Sequence, residues 1–185
     1  MNKHYVFWPF RAQTYENMAR EQYGARRALR EFQRPSGSMA YIRYGSRKHR
    51  GRLESCNSAD KSLYVTGHGA PGHAFISNTP DGAGEQLHAL VVVSRLIEYG
   101  LRKTSACKLK LFSCYSGVDG PESVGFARAM HMILRHLDYD DIEVYGYTQA
   151  VSPYGGNQHT TFFGQGPGGI VGLWNRASTV RIHIQ

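Results

Sequence analysis

Two short stretches hold residue types able to do covalent chemistry: "LYVTGHGAPGH" (63–73) and "KLKLFSCYSG" (108–117). The first sets His68 between two glycines at the end of an apolar run. The second sets Cys114 at the end of another. A free thiol has a pKa of about 8.5, so only a small fraction is thiolate at neutral pH; a neighbouring imidazole takes its proton or steadies the thiolate as a cation. That is the chemistry of nucleophilic acyl transfer. Taken singly, His68 reads as a polar turn residue and Cys114 as a small core residue. Together they share a setting, since each follows a predicted strand and a predicted helix lies between them. Such a crossover brings two parallel strand ends side by side although the residues stand 46 apart (114 − 68) in the chain. Gly69 follows the histidine, and Ser116 and Gly117 follow the cysteine. Small residues there let a substrate backbone come close and aim amide N–H groups at a developing oxyanion.

The elements that must position this pair are read from periodicity and punctuation. Strands are predicted over 4–10, 39–45, 62–67, 107–113 and 142–148, from runs rich in β-branched and aromatic residues. Helices are predicted over 14–32, with a Thr14 cap and a weakening Gly24, over 85–103, and over 122–137 with Glu122 in the first turn. A glycine-rich loop is expected over 69–84 and a long one over 149–169, followed by two strand-like runs, "IVGLW" and "STVRIHI". Strand and helix in alternation predict a single α/β domain over 1–185, with a mostly parallel sheet and helices on both faces. In such sheets ligands gather at the carboxyl ends of the strands, where His68 and Cys114 are placed.

Composition bounds the partners. The chain has 185 residues, 41% of them hydrophobic, enough for one domain with a sizeable core. Its longest apolar run is "ALVVV" (89–93), far short of the roughly 20 residues that span a bilayer. The N-terminus lacks the h-region and cleavage site of a Sec-type signal, so the expected location is the cytoplasm, or outside it by a route that reads no such signal. Three cysteines without scaffold spacing read as free thiols, with Cys107 in the core and Cys56 exposed after a basic loop. The net charge of +8 and a pI of about 9.5 favour anionic partners.

An apolar strand then "GHG", a helix, and an apolar strand then "SCYSG" resemble the caspase-like cysteine peptidases, the clan of caspases, metacaspases, legumains, gingipains and self-cleaving toxin peptidase domains. The "YVTGHG" and "FSCYSG" pieces are most similar to metacaspase-type motifs, and the likeness covers about Leu63 to Thr148. The resemblance implies a caspase-like three-layer sandwich and a thiol endopeptidase of bacterial effector or toxin type. It implies Cys114 as nucleophile, His68 as acid–base, and the amides of Gly69 and Cys114 as oxyanion hole, with Ser113 and Gly117 flanking the nucleophile. Arg11 is placed to line the pocket for the residue before the scissile bond, as caspases use an arginine from a similar place; Asp119 argues instead for a basic side chain there. Each also reads as a solvated loop charge, and the chain is shorter than most members, without their large-to-small-subunit linker.

Other constellations are weaker. His68, His73 and Cys114 match no common zinc motif and lack a fourth ligand, so no metal and no organic cofactor is expected. Arg43, Arg47, Lys48, Arg50 and Arg52, with Arg26, Arg27, Arg30 and Arg34, form either a solvated basic face or a surface for an anionic effector such as an inositol phosphate, which switches on some toxin members of the clan. No nucleic-acid motif accompanies the charge. "GQGPGGIVG" precedes no helix and has no Lys-Ser/Thr pair; it reads as a loop bordering the cleft, not a phosphate loop. Two rival functions stay open: another acyl transfer on the same dyad (deamidation or transamidation), and a non-catalytic basic module that binds phosphate or nucleic acid.

Overall fold

The computed structural model describes residues 4–11, 39–151, 159–166 and 169–185. A six-stranded sheet organises them. Its strands are β1 (His4–Trp8), β2 (Met39–Arg43), β3 (Ser62–Thr66), β6 (Lys108–Phe112), β7 (Glu143–Tyr147) and β10 (Arg181–Ile184), in the spatial order β2-β1-β3-β6-β7-β10. All neighbours are parallel except β10, which runs antiparallel to β7 at the edge. The predicted strands all lie where expected, each slightly shorter than its apolar run. The predicted helix over 14–32, with Arg26, Arg27, Arg30 and Arg34, lies outside the described residues.

Period-two alternation divides the sheet into two faces. Leu63 and Val65 of β3, Leu109 and Leu111 of β6 and Val144 of β7 enter one core with Tyr5 and Phe7 of β1. Helices α1 (Ala89–Glu98) and α2 (Phe126–His136) cover that face and pack against each other. Their buried residues recur at helical spacing: Ala89, Val92, Val93 and Leu96 in α1, and Phe126, Ala127, Ala129, Met130 and Leu134 in α2. Val6, Tyr64, Phe112 and Tyr147 form a smaller cluster on the opposite face. Lys110 is buried there, its Nζ donating to Ser62 Oγ (2.8 Å) and Tyr64 Oη (3.2 Å); desolvation, then Arg181 and Lys108, bring its pKa down to about 8.

Four expectations need correction. The helix predicted over 122–137 begins only at Phe126, after Gly125, so Glu122 lies outside it and no acidic residue occupies its first turn. The helix predicted over 85–103 is shorter, because Gln86–His88 is a strand, β5, paired antiparallel with β4 (Phe75–Ser77). Leu87 is buried opposite Ile76, so its apolar side chain belongs to a strand pair that merely coincides with helical spacing. The His88 side chain then caps Leu90 N–H, and Gly100, at φ +103°, takes the chain out of the helix. The loop expected over 149–169 contains β8 (His159–Gly166), which pairs with β9 (Gly169–Arg176), so "GQGPGGIVG" belongs largely to a hairpin. Finally, Cys56 is buried (0% exposed) instead of exposed. The 3-10 turn at Arg52–Ser55 buries Leu53 and carries Cys56 into the core while the basic side chains stay exposed, and the Cys107 thiol and burial push the Cys56 pKa up.

Candidate active site

The β3–β6 ladder fixes the relation between the candidate pair. Thr66 stands opposite Phe112, an offset of 46 residues, and His68 and Cys114 share that offset two positions further on. Both therefore leave the carboxyl edge of the sheet at the same level, on adjacent parallel strands.

Each residue is then held by its own turn. The N–H and C=O of His68 exchange hydrogen bonds with Ser77 (2.8 and 2.9 Å), and β4, which begins this return of the chain, is itself paired with β5. The β4–β5 hairpin thus carries the histidine. On the other side, Tyr115 adopts φ +54°, a left-handed conformation that β-rich aromatics rarely take, so the chain reverses sharply after the cysteine. Ser116 staples this turn to two strands: its Oγ donates to Leu111 O (2.7 Å) and accepts from Tyr147 N–H (3.1 Å). Gly117 donates to Tyr147 O (2.9 Å) and lies against the backbone of Gly146, where a side chain on either glycine would collide.

The two turns touch. A Cβ on Gly69 would lie 2.3 Å from Ser113 Oγ and 2.7 Å from the Cys114 carbonyl oxygen, so only glycine fits between the histidine loop and the cysteine. Further out, Gly72 N–H donates to Val118 O (2.9 Å) and Ser123 Oγ to Gly72 O (2.7 Å), joining the loops. The N–H groups of Gly69 and Cys114 donate to no other residue among those described.

The electrostatics follow from this half-buried setting. Burial lowers the pKa of His68, with Asp81 opposing weakly, so the imidazole is neutral near pH 7. Its Nε2 is buried without a hydrogen-bond partner among the described residues, as is the Oγ of Ser113, a residue 1% exposed. Burial raises the pKa of Cys114, and the backbone at Val151 and at Cys114 itself offsets part of that rise. The Cys114 Sγ–H points to Val151 O at 3.6 Å.

The remaining sequence candidates are dispersed around this centre. Arg11 is exposed past the end of β1; its N–H donates to Glu85, whose other oxygen takes two bonds from Arg95 (3.1 Å each), and Arg95 also holds Pro9 O (2.6 Å). Asp119 faces α2 instead, accepting from Gly125 N–H (2.8 Å) and Arg128 Nε (2.6 Å). Burial alone would raise its pKa, but these two donors outweigh it and hold the carboxyl below its usual range. His73 packs against Phe75, with ring centroids 4.9 Å apart and planes tilted by 57°. Among the described residues no group of three or more His, Cys, Asp or Glu is arranged to hold a metal ion. In the basic stretch, Arg50 is paired with Glu98 (2.7 Å). Sequence reading missed Ser77 and Val151, because both act through backbone groups that any residue type supplies. No protein-family model matches the chain, and no curated protein is significantly similar to it. No helix among the described residues is long and apolar enough to cross a membrane.

Proposed function

We propose that this protein is a caspase-like cysteine endopeptidase whose sheet is one layer of a three-layer sandwich. The observation that carries the reading is the shared β3–β6 offset, which sets His68 and Cys114 level at one sheet edge with Gly69 pressed against the cysteine turn. His68 Nε2 takes the proton from Cys114 Sγ, and the thiolate attacks the peptide carbonyl carbon. The oxyanion that forms is met by the two uncommitted amides of Gly69 and Cys114. The imidazolium then protonates the departing amine, and water hydrolyses the thioester to release acid and thiol. A neutral His68 suits the first step, because only the unprotonated imidazole accepts the proton.

The test is cleavage of a broad peptide library. Cys114→Ala and His68→Ala should each reduce turnover by about 10³-fold or more, with the double variant scarcely worse than either, because nucleophile and base act as a unit. His73→Ala, on the same loop but packed against Phe75, should be silent. A folded wild-type protein that cleaves nothing yet releases ammonia from glutamine side chains through Cys114 would move the assignment to acyl transfer. Variants indistinguishable from wild type in every assay would overturn it.

A further inference from the structure

We propose that Tyr115 is a specificity-determining residue, whose ring receives an apolar or aromatic side chain from one of the two substrate residues that precede the scissile bond. The inference rests on the peptidase reading and names a substrate preference of that site. Among the described residues, five glycines and only two other residues, Tyr115 and Asp138, have positive φ. Asp138 follows α2, where a short polar side chain tolerates that backbone, and its carboxylate holds Lys103 Nζ at 2.8 Å. Tyr115 has no comparable reason. Glycine would make its turn without strain, because backbone groups do the holding: its N–H donates to Gln149 O (3.1 Å) and its C=O accepts from Val118 N–H (3.0 Å). Nor does the side chain serve the core. Tyr115 is 36% exposed, belongs to neither apolar cluster, and its hydroxyl bonds to no described residue. A strained backbone that carries an idle ring one position after a nucleophile points to a ligand for that ring.

The strand order identifies which part of the substrate this is. His68, past the end of β3, protonates the departing amine, so the leaving group lies on the β3 side of Cys114 and the acyl segment on the β7 side. The cysteine turn leans on β7. Tyr115 N–H meets Gln149 O just beyond that strand, and Gly117 N–H meets Tyr147 O (2.9 Å). Val151, half-buried against the cluster of Phe112 and Tyr147, adds a second apolar side chain on that side. Asp119, the acid nearest Tyr115 in sequence, is taken up by Gly125 N–H and Arg128. Tyr115 therefore offers the acyl segment a ring and not a charge, and rings favour apolar and aromatic partners.

The experiment compares the full chain as wild type, Tyr115→Phe and Tyr115→Gly. Peptides varied to Phe, Leu, Ala, Asp or Arg at the two positions before the scissile bond report kcat/KM. Ala-Phe, Phe-Ala and Ala-Ala chloromethyl ketones, from which the Cys114 thiolate displaces chloride to form a thioether, report recognition without hydrolysis. Wild type and Tyr115→Phe should prefer Phe or Leu to Ala and Asp by about tenfold at one of the positions, and Tyr115→Gly should cut that to about twofold or less. The Tm of Tyr115→Gly should not fall, since glycine relieves the strain. If Tyr115→Gly slows every peptide equally and keeps the preference, or loses several degrees of Tm, the ring merely supports the turn; the proposal is overturned and the peptidase reading stands. A wild-type preference for a charged residue overturns it likewise. If no peptide is cleaved, yet a Phe-containing ketone labels Cys114 faster than Ala-Ala in wild type and not in Tyr115→Gly, the recognition holds and the peptidase reading fails. If neither cleavage nor labelling distinguishes the side chains, both fall.

Discussion

Replacing Gly69 by alanine tests the contact on which the candidate site depends. The new methyl carbon would lie 2.3 Å from Ser113 Oγ and 2.7 Å from the Cys114 carbonyl oxygen, both closer than the 3.0 Å that real Cβ atoms respect. The first clash is relieved by rotating or removing a hydroxyl. The second involves backbone, so the histidine loop must back away from the cysteine turn by several tenths of an ångström. Overpacking of this kind costs about 1–3 kcal/mol. For a chain of this size that is a fall in Tm of about 2–12 °C. Displacement matters more for chemistry, since a misplacement of about 1 Å costs up to roughly 10²-fold in rate. Differential scanning calorimetry and peptide cleavage, read on the same preparation, separate the two effects. Ser113→Ala alone should be neutral or slightly stabilising, because its hydroxyl has no partner among the described residues to lose. Combined with Gly69→Ala it should restore part of the stability and little of the activity, as the Cys114 carbonyl clash persists. A Gly69→Ala protein with unchanged Tm and unchanged turnover would refute the close approach itself.

Two further outcomes follow from the turns around the site. Ser116→Ala strands the buried Tyr147 N–H, while the Leu111 carbonyl keeps its bond from Ser113 N–H, and should cost about 1–3 kcal/mol in urea unfolding; a cost near zero would mean that the staple is not made in solution. Asp119→Ala should cost about 1 kcal/mol by uncapping α2, without changing which peptides are cleaved; a changed preference would instead put Asp119 in the substrate pocket. Because the folded Asp119 pKa lies below its unfolded value of about 4, its stabilisation is complete above that pH and is lost as pH falls through the lower folded value. The gap between variant and wild type should therefore close in acid, and a gap that persists to about pH 2 would exclude the carboxylate as its source.

What could be read from the sequence was whatever a side-chain pattern encodes. The runs in β3 and β6 alternate, with Leu63, Val65, Leu109 and Leu111 on the face that enters the main core and Ser62, Tyr64, Lys108 and Lys110 on the other, and the helix between them requires their ends to point the same way. The glycine after the histidine was legible as a site of close approach. What was not legible depends on partners distant in sequence. Leu87 sits at helical spacing from Leu90 and Val91, and only its pairing opposite Ile76 reveals a strand. Cys56 is surrounded in sequence by polar residues, but the 3-10 turns around Leu53 tuck it against Cys107. Gly164, Gly166, Gly169 and Gly172 read as loop residues, although each stands in an antiparallel pair of β8 and β9. Tyr115 shows no sign in its residue type of the left-handed backbone it adopts.

The β3–β6 ladder has a consequence beyond geometry. A slip of one residue would set His68 beside Ser113 or Tyr115, and it would also turn Leu109 and Leu111 out of the core, so the hydrophobic cost forbids it. Alignment of the candidate pair is thus a by-product of how the interior sorts oil from water, and the same burial that stabilises the fold proof-reads the site. Loops beyond the Gly69 contact and the Ser116–Gly117 turn are then free to lengthen, shorten or change composition without disturbing the pair. An engineer seeking a new specificity on this scaffold should vary those loops and leave Val65 and Leu111 alone.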